Sequence, residues 1–351
     1  MRWEGASLQI DPKSDNNRAR IAALALAIML MLAGLAWLLV WPESLLRILE
    51  TIRASVWARV SGLLSERMLE LALMAVLVLA LEVLVVGWRK SSVFRLGFRP
   101  RYTALIDILV FVSTLLSLGG IIAVLLTFGL SVATSRLVNW ILSQYGWSRI
   151  DLPSDGILQV AAGFSIYWLT ITFFEYWGHR LMHTPLLWHL HRFHHAATEL
   201  NIITGLRQHP LEPVILGFLA LVSPLVFFNV SDEILLIYLV WGTTFDLLGH
   251  SQLPWGYAWF GRWIVASPCV HQIHHSAADE HRDMHFSKCP LWDHLFGTWY
   301  KGANAPSEYG IPDNQYEARP IRQFVFDAAA FYRTALQGLL GWLASRTRIA
   351  D

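Results

Sequence analysis

Histidine is the residue type in this chain whose numbers and spacing could do chemistry. All fourteen histidines fall between His179 and His294. His179 and His183 stand four apart, and His191, His194 and His195 form an H-x-x-H-H cluster that returns as His271, His274 and His275. Residues three and four apart share one face of a helix, so each group aims its rings at one point. His250 adds a further ring to these eight. One metal ion takes at most about six ligands, and imidazole suits Fe, Zn, Cu and Ni. Two metals are the economical reading. A single H-x-x-x-H would be no more than interfacial histidines; the doubled H-x-x-H-H separates a metal cradle from a solvated histidine face.

The elements that must carry these rings are helices in a membrane. Of 351 residues, 55% are apolar and 15% charged, and the mean hydropathy is +0.43, values that point to a membrane protein. A net charge of +1 with no basic stripe argues against nucleic acid as a partner. Two cysteines, Cys269 and Cys289, cannot make a disulfide framework. Cys269 lies two residues before His271, which leaves a ligand role open beside that of a small core residue.

Apolar runs predict membrane spans at 21–41, 71–86, 104–130 and 157–174, and an apolar hairpin of 211–230 and 234–248 turned at Ser231 and Asp232. The stretch 44–67 spaces arginines among apolar residues and suits a helix lying in the interface. Glu82, near the end of the second span, is expected to pair with Arg89 and Lys90. Arg89, Lys90, Arg95, Arg99 and Arg101 make the densest cationic loop, which the positive-inside tendency places in the cytoplasm. Counting spans from there puts every histidine cluster on the cytoplasmic side.

The fourth span is expected to continue as one helix through His179, which then lies only about 7 Å beyond Phe174 at 1.5 Å per residue. Thr184-Pro185 and Ser267-Pro268 should each start another helix. The expected fold is all-α: a polytopic membrane protein with about four transmembrane helices, an apolar helical hairpin and a cytoplasmic histidine-rich helical cap. Its segments are a polar N-terminus (1–20), an N-terminal transmembrane region (21–155), a catalytic domain (156–300) and a C-terminal loop and amphipathic helix (301–351).

The chain at this point resembles the fatty acid hydroxylase and sterol desaturase superfamily of membrane-bound histidine-rich diiron oxygenases. The matching text is Glu175-Tyr-Trp-Gly-His-Arg-Leu-Met-His183, Leu187-Trp-His-Leu-His-Arg-Phe-His-His195, Arg207-Gln-His-Pro210, Gly249-His250, Pro268-Cys-Val-His-Gln-Ile-His-His275 and Trp292-Asp-His-Leu-Phe-Gly-Thr298. It covers roughly 157–300 and does not choose among lipid hydroxylases, sterol desaturases and related oxygenases. The resemblance implies that His179, His183, His191, His194, His195, His250, His271, His274 and His275 are the catalytic ligands of two Fe ions, with O2 as co-substrate. It implies hydroxylation or desaturation of an unactivated C–H bond in a lipid that enters from the bilayer.

The electrons must come from a separate reductase, ferredoxin or cytochrome, because no dinucleotide, haem or flavin motif is visible. Glu175, Arg207, His209, Asp246, His281 and His285 are expected to support the ligands or join them. Asp246 stands where family members often carry His or Asn, and His285 where they commonly carry Asn. A bacterial inner membrane or the endoplasmic reticulum is the expected location. Two other classes compete. A metal transporter would want ligands near the bilayer midplane, and a membrane cytochrome needs only two axial histidines per haem; a structural metalloprotein shares the same ligands.

Overall fold

The computed structural model describes residues 73–98, 102–115, 136–209, 226–302 and 305–347, with positions 134, 211, 212, 215, 216 and 224. The expected span at 21–41, the interfacial helix at 44–67, the second half of the span 104–130 and most of 211–230 lie outside these residues. The chain divides into two compact units, 61–331, and 1–60 with 332–351. Of the second unit the described part, 332–347, is helical. The histidines all belong to the first.

The described structure is mainly helical. Helix α1 (Leu73–Val86) is apolar, and α2 (Tyr102–Leu115) follows a short helical turn at Ser92–Gly97. Helix α3 (Ile157–Met182) is the one described helix long and apolar enough to cross a membrane. It begins after Gly156, whose φ of 96° suits glycine, and it runs without interruption through His179, as the spacing predicts. It stops at His183 because Pro185 disfavours helical angles at Thr184. Helix α4 (Trp188–His195) then begins at Trp188, a turn later than the proline-started helix expected at 185.

Helix α5 (Asp232–Gly249) is capped by Ser231, whose hydroxyl accepts from the Ile234 amide, and Asp232 and Glu233 oppose its positive end. Helix α6 (Pro268–His274) has Ser267 as its cap and a proline in its first position, as expected. Helices α7 (Leu291–Phe296) and α8 (Pro320–Thr347) complete the set.

Two short strands set the frame of the site. β1 (Ile150–Asp151) and β2 (Phe228–Asn229) pair in parallel, with Ile150 opposite Phe228, and the Asn229 amide donates to the Asp151 carboxylate at 2.7 Å. The chain enters α3 after β1 and α5 after β2, so both helices start from one place. At 1.5 Å per residue α3 reaches His179 after about 33 Å and α5 reaches His250 after about 27 Å. Gly163 permits the contact between them: a Cβ there would lie 2.7 Å from Ile234 Cδ1 and would collide with the Pro153 carbonyl. Tyr167, Ile171 and Ile234 fill that seam, each such buried side chain contributing about 1.5–3 kcal/mol.

Buried polar groups tie the outer helices to the histidine region. Glu82 takes partners other than Arg89 and Lys90. It is fully buried and accepts from the Ser92 amide (2.6 Å), the Ser92 hydroxyl (3.0 Å) and the Gln252 amide (2.6 Å). Three donors offset the cost of burying a carboxylate, and they join α1 to the loop after α5. Asp107 on α2 does the same for 201–207, accepting from Asn201 (2.7 Å), Thr204 (2.8 Å) and the buried Arg207 (3.4 Å).

Candidate metal centre

The fold draws nine histidines into two groups. His179, His183, His191, His195 and His274 form the first, and His194, His250, His271 and His275 the second; within each, one nitrogen per ring lies within 4.8 Å of all the others. Each H-x-x-H-H helix feeds both groups. From α4, His191 and His195, one turn apart, enter the first group and His194 the second. From α6, His271 and His275 enter the second and His274 the first. Two short helices thus exchange one ring each, and the centroids of His194 and His275, and of His195 and His274, stand 4.6 Å apart.

Protein oxygens fix the orientation of six rings through Nδ1. The acceptors are the Phe286 carbonyl for His179 (2.7 Å), Asp283 for His183 (3.0 Å), Glu212 for His191 (2.8 Å), the Arg207 carbonyl for His194 (3.3 Å), the Asp246 carbonyl for His250 (3.0 Å) and the Met284 carbonyl for His274 (2.8 Å). A carbonyl or carboxylate accepts only from N–H, so these rings are Nδ1–H tautomers with a bare lone pair on Nε2. Two of those lone pairs, in the first group, face each other: His179 Nε2 lies 3.0 Å from His191 Nε2. In the second group the His250 Nε2 lone pair faces the His271 ring nitrogen Nε2 at 2.9 Å. His183 Nε2 and His274 Nε2 have no hydrogen-bond partner among the described residues.

Lone pair against lone pair at 3.0 Å needs a cation between them. A proton is a poor choice: burial pushes His191, His194, His195, His271, His274 and His275 well below the ordinary imidazole range, and neighbouring rings add to the effect. Neutral, pre-aimed imidazoles with their far nitrogens held by oxygen acceptors are the arrangement a metal requires. The residues present therefore fit two metal ions, in two all-imidazole shells of five and four rings.

The loop 283–288 supplies three of the acceptors. Asp293 organises it, accepting from the Phe286 amide (2.8 Å), the Ser287 amide (3.1 Å) and the Thr298 hydroxyl (2.7 Å). Asp283 and His285 both adopt positive φ, 58° and 57°, a conformation that costs a non-glycine residue about 1–3 kcal/mol and persists only where surrounding contacts hold it. Here it belongs to the loop whose Met284 and Phe286 carbonyls hold His274 and His179. Gly205 leaves room for the second group: a Cβ there would lie 3.0 Å from His250 Nδ1.

A cavity of about 520 Å³ opens onto both groups, lined by His179, His191, His194, His250 and His271 together with apolar side chains such as Trp168, Leu216 and Phe245. That is the size and character of a small-molecule site.

The other residues singled out by sequence take varied places. Glu175 and Asp246 line the cavity and hold Lys288 between them, at 3.4 and 3.2 Å. Asp246 serves His250 through its backbone carbonyl, and its carboxylate is engaged by Lys288. Arg207 likewise serves His194 through its carbonyl; its buried guanidinium donates to the Phe193 carbonyl (3.0 Å) and to Thr103 (2.9 Å), which makes the side chain a framework group. His209 stacks on Phe324 at 4.7 Å. His281 bonds Ser276 at 2.8 Å, and His285 packs edge-on against Trp299. None of these three enters either group. Cys269 is also outside them.

Sequence reasoning missed Glu212, which is buried and aligns His191. The available signal was a lone acid two residues after Pro210 at the head of an apolar run, where an uncompensated charge is costly.

Comparison with known proteins agrees with this geometry. Residues 164–298 match the fatty acid hydroxylase family model. Very-long-chain aldehyde decarbonylase GL1-11 of Oryza sativa subsp. indica is 28% identical over 165 residues, 46% of this chain and 61% of the relative. Methylsterol monooxygenase 1-3 of Arabidopsis thaliana is 24% identical over 177 residues, 49% of this chain and 59% of the relative. Methylsterol monooxygenase 2-1 of the same plant is 36% identical over 78 residues, 22% and 28% of the two chains. The chain thus spans less than two thirds of these relatives. No solved structure matches it. Residues 164–298, with their paired histidine groups, are thus the part of this chain that is similar to the fatty acid hydroxylase family, and the relatives that it matches belong to the fatty acid hydroxylase/sterol desaturase superfamily.

Proposed function

We propose that this chain is a membrane-bound diiron oxygenase that hydroxylates an unactivated C–H bond of a lipid, using O2 and two external electrons. The observation that carries the reading is the pair of all-imidazole groups, six of their nine rings held through Nδ1, which open onto one largely apolar cavity. Iron bound by those rings would supply the one-electron and O2 chemistry that zinc lacks.

The chain's own residues do the rest. Glu212, Asp283 and the carbonyls of Arg207, Asp246, Met284 and Phe286 fix the ring orientations, so no reorganisation is needed when metal enters. Trp168, Leu216 and Phe245 give an acyl chain or ring system an apolar wall and keep water from it. The names of the relatives, a monooxygenase of methylsterols and a decarbonylase of very-long-chain aldehydes, support a lipid substrate.

A membrane setting is supported by outward-facing Leu84, Leu109, Ile157 and Leu158, all highly exposed. The length of about 27–33 Å between the strand pair and the histidines, taken along the helices, is that of a bilayer core. With the histidine end in the cytoplasm, a soluble reductase, ferredoxin or cytochrome reaches the centre. The test is product analysis. Expression in a lipid-producing host under isotopically labelled O2 should yield a lipid carrying one labelled oxygen, absent from a His191→Ala strain; a product with an added double bond and no label would replace hydroxylation by desaturation.

A further inference from the structure

The cavity that meets the histidines has a gap in its wall that the fold does not require. Gly242 lines it from the interior of α5. Glycine inside a helix costs stability relative to alanine, because it loses more backbone freedom on folding. Such a glycine calls for a reason, and the common structural ones are a positive φ and a close neighbour. Gly163 on α3 has the second, against Ile234 and the Pro153 carbonyl, and Gly205 keeps clear of His250. Gly242 has neither. Its φ is not positive, and a Cβ there would meet nothing within 4 Å among the described residues. The space left free belongs to the cavity.

The position of Gly242 says what that space is for. Gly242, Asp246, Gly249 and His250 stand on one face of α5, and all four line the cavity. Gly242 is the member of this row farthest from the histidines, about 12 Å from His250 along the helix axis. Trp168 lines the same cavity from α3 and is held in place: its indole N–H donates to the Ile264 carbonyl at 3.3 Å, and its ring packs on Trp241 at 6.0 Å. Ile202, Leu216, Phe245 and Leu247 add hydrocarbon to the wall.

We propose that Gly242 is the length-determining residue of this cavity: its missing side chain is the room through which the hydrocarbon part of the lipid substrate extends beyond about 12 Å from the histidine face. The inference rests on the lipid-oxygenase reading above and adds the position that sets how long a chain the site takes. A side chain at 242 would project into that room and stop the substrate short. Each methylene then left outside the apolar wall forfeits about fourfold in affinity. Hydrocarbon burial is non-directional and needs no polar partner, so the helix serves the substrate here by leaving space.

The test measures equilibrium displacement of radiolabelled methyl octanoate from the full chain, purified in detergent with its metal, by unlabelled methyl octanoate and methyl stearate. An octanoyl chain is shorter than the run from the histidines to Gly242, and a stearoyl chain is longer. Gly242→Ala, Gly242→Leu and Gly242→Phe place side chains of rising size in the gap. Methyl octanoate should bind the native chain and all three variants within about twofold. Methyl stearate should weaken with side-chain size, by about tenfold or more in Gly242→Phe, the value of two methylenes kept from the apolar wall. Gly242→Ala should also melt at or above the native temperature, because the helix gains an alanine whose Cβ meets no neighbour. A glycine needed for packing gives the opposite pattern, a lower melting temperature and both esters weakened by one factor. That pattern overturns the proposal, as does a Gly242→Phe chain with native stearate affinity. If the larger variants do not fold, the melting temperature of Gly242→Ala decides alone. These affinities are read without turnover. Selective loss of stearate in a chain whose native form takes up no O2 keeps the length gate and removes the oxygenase reading; O2 uptake with the two esters moving together removes the gate alone.

Discussion

Removing the carboxylate of Glu212 should weaken one metal site and spare the other. Glu212 and His191 are both buried, and His191 Nδ1–H donates to Glu212 Oε1 at 2.8 Å. Glu212→Met leaves that N–H without an acceptor, a desolvation cost of about 1–3 kcal/mol. It also frees the imidazole to turn and to lose its Nδ1–H tautomer. Loss of such a partner usually costs a metal site about 10–100-fold in affinity, which is about 1.4–2.7 kcal/mol, so the two estimates agree. His191 belongs to the first group, with His179, His183, His195 and His274. A graded chelator challenge followed by metal analysis should therefore show one ion leaving about 10–100-fold earlier than in the native chain and the other following the native curve. Glu212→Gln retains an acceptor oxygen and should shift the first ion by less than about tenfold. Native chelator resistance in Glu212→Met, with thermal melting confirming a folded chain, would refute the argument that Nδ1 anchoring sets the affinity.

Two further outcomes follow from the buried charges. The depressed histidines bind fewer protons folded than unfolded, so stability contributed by their neutral state is full above the unfolded value of about 6.5 and falls as pH drops below it; six cluster histidines lie well below the usual range. Melting temperature and metal retention should both decline between pH 7 and 5 by about the same midpoint, and a melting temperature that rises on acidification would contradict this. Arg207→Met should destabilise the chain by about 3–5 kcal/mol, because it leaves Asp107 buried without its cation. The double variant with Asp107→Asn should recover part of that loss in denaturant titrations; strict additivity would mean that the two groups are not coupled.

The ligand geometry was legible because it is local. Rings three and four apart on α4 and α6 must share a face, and Ser267-Pro268 starts α6 where the sequence places it. The continuous helix through His179 was legible for the same reason. What the sequence concealed is whatever depends on tertiary approach. Glu82 finds Ser92 and Gln252 in place of the nearby Arg89 and Lys90, since satisfying a buried carboxylate outweighs proximity along the chain. Glu212 reaches His191 across 21 residues, a pairing no periodicity encodes. Asp246 was seen to sit one turn before His250, yet it acts through its carbonyl because Lys288, 42 residues away, engages its side chain. The exchange of one ring between α4 and α6 also escaped the sequence, because the motif fixes which rings share a face and leaves open which metal each ring meets.

The most direct test of the account is metal content and reductant-dependent O2 uptake of the detergent-purified chain beside His274→Ala, from the first group, and His194→Ala, from the second. The account predicts about two irons per native chain, one for each imidazole group, loss of about one ion in each variant, and loss of O2 uptake in both. Metal that stays fully bound in both variants, or tightly bound zinc with no O2 uptake after iron-replete expression, would contradict it.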